Sequence, residues 1–201
     1  MSTAPNGTAP PPARIGAWTP GLDDRPTLRT VYATMPGDPQ AAIPWYVRLL
    51  ENPASPVALP GAIDLFGHDC VHITLGRGML PQDEAFVIGV TMGATGRLSG
   101  WQHRLYATAA RRLYRGPYRL GPADLLVFDL GVAFAKLHRL PPLQSLPWHE
   151  LLDRPLGEIR AAAGISRAGL LDAYARERRL LPGTEAARRL PTAAPQPRAA
   201  G

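Results

Sequence analysis

The sequence predicts an all-α protein built as a single helical bundle. Apolar residues recur at helical spacings, and the strict alternation typical of strands is hard to find. An apolar fraction of 45% in 201 residues is sufficient for one buried core. We expect the helical domain to span 35–180, preceded by a disordered proline-rich tail at 1–34 and followed by a disordered basic tail at 181–201.

The first three predicted helices are marked by residues that begin or end helices. The segment 43–52 starts with Pro44, which is tolerated in a first turn, and carries apolar residues at helical spacing. The segment 62–76 ends at Gly76, and glycine is a common helix terminator. The next helix opens at PQDE, residues 81–84, where the two acids favour the helix dipole.

The remaining predicted helices follow the same periodicity. They cover 98–114, 123–138, 155–163 and 166–180. The segment 123–138 is apolar on nearly all sides, which predicts a central helix. Asp129 interrupts it, and a buried carboxylate needs a partner. We expect Asp129 either to orient a metal-bound imidazole from the second shell or to pair with an arginine.

Charge and cysteine content limit the classes of function. The net charge is +6, but residues 175–201 alone contain six arginines and two acids, which weakens a nucleic-acid reading. The single cysteine, Cys70, excludes an internal disulfide framework and fits a reducing compartment. No secretory signal is visible, and the most apolar stretch, 85–94, is about half a membrane span. We expect a cytoplasmic protein, in peripheral contact with the inner membrane face.

Residues 67–84, GHDCVHITLGRGMLPQDE, contain His68, Asp69, His72 and Glu84. On a helix, positions i, i+1 and i+4 fall within an arc of roughly 100°, so the first three can face one centre. If the next helix packs antiparallel, Glu84 can approach the same centre. Two imidazoles and up to two carboxylates suit one divalent ion of zinc, iron, manganese or cobalt. The alternative is a set of ordinary polar side chains that happen to lie close together.

The pattern H-D-x-x-H, followed by eleven residues and a glutamate, resembles the motif of the coenzyme Q (ubiquinone) biosynthesis protein 4 family. His68, Asp69, His72 and Glu84 match it residue by residue. The end of the domain is similar to the family's closing pattern, at Trp148, Glu150, Pro155, Leu156, Arg160 and Ile165. The resemblance covers about 40–166. The chain departs from it in Asp83, where a glycine is expected in many relatives, and in its proline-rich start.

The resemblance implies an enzyme of prenylated quinone biosynthesis. Such an enzyme removes the carboxyl group from the aromatic ring of the precursor and hydroxylates the same carbon. His68, Asp69, His72 and Glu84 would be its metal ligands and catalytic residues, and Asp69 or Glu84 could serve as base. The expected partners are a hydrophobic aromatic or prenylated small molecule and a second copy of the chain, but no nucleic acid.

Two other functions stay open. One is a metal-dependent tailoring enzyme that acts on another aromatic acid in specialised metabolism. The other is a non-catalytic, lipid-binding scaffold of a quinone-biosynthesis complex. Hydrolysis is disfavoured, because zinc peptidases of the H-E-x-x-H type carry a glutamate as base where this chain has Asp69.

Two further features fit a lipid partner. Between Glu84 and Asp124 there is no acid, and arginines alternate with tyrosines. From this stretch, Arg111, Arg112 and Arg115 are predicted to bind an anionic membrane surface or lipid headgroup, with a solvated helix face as the alternative. Ala85, Gly89 and Gly93 form a row of small residues that serves close helix packing or leaves space for an acyl or prenyl chain.

Overall fold

The computed structural model describes residues 17–36, 61, 63–96 and 121–192, and within these ranges the protein is all-α, as predicted. The described secondary structure comprises α1 (Leu28–Tyr32), α2 (Leu65–Leu75), α3 (Pro81–Ala94), α4 (Pro122–Leu137), a 3-10 helix (Leu143–Ser145), α5 (Leu156–Ala162), α6 (Arg167–Leu180) and α7 (Glu185–Arg189). The helices predicted at 43–52 and 98–114 lie outside the described residues. Among the helices described, none is both long and apolar enough to cross a membrane.

The connection between α2 and α3 is set by local sequence. The side chain of Asp64 accepts a hydrogen bond from the Gly67 N–H, at 2.7 Å, and so caps the start of α2. Gly76 ends α2 in the left-handed conformation, with φ 71°, which glycine adopts at little cost. Pro81 occupies the first turn of α3, and the Asp83 side chain accepts from the Leu80 N–H at 3.2 Å. The turn between them brings the start of α3 beside the end of α2.

Small residues allow α3 and α4 to cross closely. A Cβ atom added at Gly89 would lie 2.3 Å from the carbonyl oxygen of Phe128, and one added at Gly131 would lie 2.4 Å from that of Phe86. At Gly93 the nearest atoms likewise belong to α4. The glycines of the small-residue row therefore serve helix packing, because α4 fills the space that an acyl or prenyl chain would need.

The predicted disorder at the N-terminus is wrong for residues 17–34. Trp18, Leu22 and Leu28 are buried in the core, and the indole Nε1 of Trp18 donates to the Thr34 hydroxyl at 3.1 Å. The backbone N–H groups of Leu28 and Arg29 donate to carbonyls of the 152–154 segment at 3.1 and 2.8 Å. The proline content had suggested that this segment makes too few contacts to offset the entropy lost on ordering. These long-range contacts provide that compensation.

The predicted disorder at the C-terminus is wrong for residues 185–190. In and just after α7, Ala186, Ala187 and Leu190 are buried. The Arg189 guanidinium donates to the Trp18 carbonyl oxygen at 2.6 Å, which joins the two ends of the described chain. The helical domain therefore extends beyond 35–180 in both directions.

Candidate metal centre

Three side chains converge between α2 and the first turn of α3. Nε2 of His68 lies 2.8 Å from Oε1 of Glu84, and Nε2 of His72 lies 2.9 Å from Oε2 of the same carboxylate. The two Nε2 atoms are 3.1 Å apart. The predicted return of Glu84 to the histidine pair is confirmed.

These distances can be compared with those of a metal site. A tetrahedral zinc ion bound at about 2.0–2.1 Å holds neighbouring nitrogen and oxygen ligands about 3.3 Å apart. The three observed contacts fall a few tenths of an ångström short of that, so a small outward movement of the side chains would admit an ion. Glu84 is 32% exposed and His68 15%, which leaves the carboxylate room to make this movement. The residues present therefore fit a divalent ion with three protein ligands.

The buried imidazole of His72 is held in one tautomer. Its Nδ1 lies 2.8 Å from the carbonyl oxygen of Gly78, which can only accept a hydrogen bond, so Nδ1 carries the proton. In the neutral ring Nε2 then presents its lone pair towards His68 and Glu84. A hydrogen bond from the second ring nitrogen to a backbone carbonyl is the usual arrangement of a metal-binding histidine.

The close contacts within the cluster place acceptor atoms opposite one another. Each contact between an imidazole Nε2 and a carboxylate oxygen needs a proton or a metal ion, because otherwise two lone pairs face each other. Burial by itself raises the pKa of Glu84, but the charges and hydrogen bonds of His68 and His72 hold that pKa well below its usual value. Glu84 is therefore ionised at neutral pH and can act as an anionic ligand.

Asp69 lies beside the centre rather than within it. The ligand atoms that come within 4.8 Å of one another belong to His68, His72 and Glu84, and the Asp69 carboxylate is outside that group. The Tyr32 hydroxyl instead donates to Oδ2 of Asp69 at 3.4 Å. Burial raises the pKa of Asp69 above its usual value, and this effect outweighs the opposing charges of His68 and His72. The structure thus does not bring Asp69 into the group of the other three residues and leaves it a neighbour of the site.

The other predicted site residues have different outcomes. Asp129 is exposed on α4, so the expectation that it is buried is wrong. The residues of α4 that pack inwards include its neighbour Phe128, and Asp129 points to another side of the helix. Arg111, Arg112 and Arg115 lie outside the described residues, and their contact with an anionic surface stays a prediction. Cys70 is fully buried and packs within the core.

Some residues around the centre had not been recognised from the sequence. Tyr32 falls in the segment predicted to be disordered, although Leu28, Val31 and Tyr32 follow helical spacing. Glu177 is fully buried on α6, where it follows Leu170, Ala173 and Tyr174 at the positions of a buried stripe. A carboxylate at such a position is a signal for a buried partner.

Searches with the chain against models of protein families, against curated proteins and against solved structures gave no match. The resemblance to the coenzyme Q biosynthesis protein 4 family therefore stays a prediction that rests on the sequence motifs and is not tested by these comparisons.

Proposed function

We propose that this chain is an enzyme that binds one divalent metal ion through His68, His72 and Glu84. The observation that carries the proposal is the convergence of two imidazole Nε2 atoms and one carboxylate, at 2.8–3.1 Å, with His72 fixed in the metal-binding tautomer by Gly78. Three protein ligands leave a coordination position for substrate or water, which is the usual composition of a catalytic site rather than of a closed structural site.

The proposed reaction follows from the family resemblance. The substrate is a hydrophobic aromatic carboxylic acid, such as a prenylated quinone precursor. Its carboxyl carbon leaves as carbon dioxide, and one atom of dioxygen becomes the ring hydroxyl. Two electrons from an external donor and two protons reduce the other oxygen atom to water. A metal ion held by His68, His72 and Glu84 would supply a Lewis acid for this chemistry.

Two features of the chain support this chemistry. Asp69 and Tyr32, beside the ligands, form a hydrogen-bonded pair that can hold or move a proton. A cavity of about 320 Å³ opens near the start of α2, with walls that include Phe66, Leu146 and Trp148. Its volume lies at the lower end of the range for small-molecule sites and suits one aromatic ring with a short chain. Phe66 also packs against Tyr32, at 5.3 Å between ring centroids, which connects this cavity to the proton pair.

The metal and the substrate are tested separately. Metal analysis of the gently purified protein should find one ion per chain, and His72→Ala should lose it. Carbon dioxide release from a prenylated aromatic acid, with dioxygen and a reductant present, should depend on that ion. Leu146→Trp should raise KM for this substrate without changing metal content. A wild-type protein that takes up no zinc, iron, manganese or cobalt would contradict the proposal, and metal binding without turnover would contradict its enzymatic part.

A further inference from the structure

A buried carboxylate on α6 contacts both ends of the turn that carries the metal centre. Glu177 is fully buried, and its carboxylate accepts hydrogen bonds from the guanidinium of Arg77 and, at 2.6 Å, from Nε2 of Gln82. These two partners precede it by 100 and 95 residues. Arg77 lies just after the end of α2 and Gln82 in the first turn of α3, so Glu177 joins both sides of the turn.

This turn determines where the metal ligands lie. The backbone N–H of Arg77 donates to the His72 carbonyl oxygen at 2.9 Å, and the next residue, Gly78, supplies the carbonyl that accepts from His72 Nδ1. Gln82 precedes Glu84 by two residues on the same helical turn. A shift of Arg77 or Gln82 would therefore change the orientation of the His72 ring or the approach of the Glu84 carboxylate.

The surroundings of Arg77 leave this network little freedom. The guanidinium is fully buried, with its centre 3.9 Å from the ring centroid of Phe86 and 4.5 Å from that of Tyr174. At Gly78, an added Cβ atom would lie 2.6 Å from the Trp18 carbonyl oxygen, so the turn also packs tightly on its other side. The guanidinium also lies 3.5 Å from the buried carboxylate of Asp83. A buried charge held by two carboxylates and two rings favours one arrangement over all others.

We propose that Glu177 is a positioning residue of the metal centre: by holding Arg77 and Gln82, it sets the orientation of His72 and Glu84 that metal binding requires. This inference rests on the proposed metal site. It adds that α6, a helix that contributes no ligand, determines how the ligands are oriented. The loss of a partner bonded directly to a ligand lowers metal affinity by about 10–100-fold, and because Glu177 acts through the turn we expect the lower end of that range, about 10-fold. A carboxylate that served only stability would leave the affinity of the folded protein unchanged.

The test compares Glu177→Gln and Gln82→Met with a control, Asp24→Asn. Gln82→Met removes the hydrogen bond between residue 82 and Glu177 but keeps the ion pair between Glu177 and Arg77. This variant therefore still tests the inference if Glu177→Gln does not fold. The control removes the charge partner of a second buried arginine, Arg160, which donates to the Thr74 carbonyl oxygen of α2 and has no bond to the turn. All three changes should lower the unfolding midpoint of the metal-free protein.

Cobalt(II) is titrated into each folded, metal-free variant, with the dissociation constant and the visible absorption spectrum as readouts. We expect Gln82→Met, and Glu177→Gln where folded, to bind cobalt about 10-fold more weakly with an altered spectrum, and Asp24→Asn to match the wild type. The inference about Glu177 would be overturned if all variants bound cobalt as the wild type does, or if Asp24→Asn lost as much affinity as Gln82→Met. Either result would leave the proposed metal site standing. A wild type that binds no cobalt would overturn the proposed metal site and the inference with it.

Discussion

Oε2 of Glu84 lies 2.9 Å from Nε2 of His72, although the two residues are twelve positions apart and belong to different helices. The approach depends on Gly76, which ends one helix, and on Pro81, which starts the next. The proposed site needs ligands from both helices, and Glu84 is the one that comes from α3. Its replacement therefore tests the metal centre most directly.

Glu84→Gln should weaken metal binding strongly, because it removes the one negative charge among the three proposed ligands. The effect should exceed the loss of about 10–100-fold that follows when a partner bonded to a ligand is removed. The amide keeps the size of the side chain, so the helical content should be unchanged. Isothermal titration with zinc into the metal-free protein measures the effect. Glu150→Gln is the matched control, since Glu150 is an exposed glutamate outside the cluster. Equal affinity in the two variants would contradict the assignment of Glu84.

The clustering of His68, His72 and Glu84 could be predicted from the sequence because the information is local. The spacing of His68 and His72 fixes them on one face of a helix, and the glycine and proline between 76 and 81 indicate a tight return of the chain. The direction of the Asp69 carboxylate could not be obtained in this way. It depends on Tyr32, which is 37 residues away in a segment whose composition suggested disorder.

The positions of Asp129 and Glu177 show a second limit. The helix α4 is apolar on nearly all sides, so its periodicity does not indicate which side meets solvent, and Asp129 was placed inside instead of outside. Glu177 lies in a charged stretch, ARERR, that looks solvated unless its place in the stripe of Leu170 and Tyr174 is noticed. Its partner Arg77 is 100 residues away, and no local pattern connects the two.

Leu28→Ala should lower the free energy of unfolding by about 2–5 kcal/mol, because Leu28 is completely buried and its truncation leaves a cavity. Urea unfolding followed by circular dichroism measures the change. Leu65→Ala is the control, because Leu65 is 42% exposed and its truncation should change stability by no more than about 0.5 kcal/mol. If Leu28→Ala left the free energy of unfolding unchanged, the N-terminal segment would not belong to the core.

Gly89→Ala should destabilise the protein even though alanine favours a helix by about 1 kcal/mol over glycine. The added Cβ would lie 2.3 Å from the Phe128 carbonyl oxygen, and the backbone atoms there cannot move aside cheaply. Overpacking of this kind costs about 1–3 kcal/mol, measured as a lower thermal midpoint. Gly183→Ala has no atom within 4 Å of the new Cβ and should be neutral. A stabilising Gly89→Ala would mean that the α3–α4 contact is looser than described.

Cys70 should resist alkylation by iodoacetamide at pH about 8 in the folded protein and react in denaturant. Burial, with the negative charge of Asp69, raises the pKa of its thiol from 9.0 to about 12. Because the folded pKa is the higher one, the thiol contributes stability that is present below pH 9 and lost as the pH rises towards about 12. Cys70→Ala should therefore remove part of the loss of stability seen above pH 9. Rapid labelling of the native protein would contradict the burial of Cys70.

Asp69→Asn should separate the binding of the metal from turnover. Because the Asp69 carboxylate lies outside the group formed by His68, His72 and Glu84, the variant should bind zinc with nearly the affinity of the wild type. The amide cannot accept or release a proton as the carboxylate can, so kcat should fall sharply while KM changes little. Tyr32→Phe, which removes only the hydroxyl that donates to Asp69, should lower kcat less.

The two outcomes for Asp69→Asn distinguish the structure from the sequence motif. If Asp69 were a ligand, as the motif implies, loss of its charge would weaken zinc binding as Glu84→Gln does. One Asp69 carboxylate oxygen instead accepts from the Tyr32 hydroxyl of α1 at 3.4 Å, and Asp69 is not part of the group formed by the two histidines and Glu84. Zinc affinity that falls equally in Asp69→Asn and Glu84→Gln would therefore restore Asp69 to the ligand set, whereas unchanged affinity with lost turnover makes it the proton-transfer group of the site.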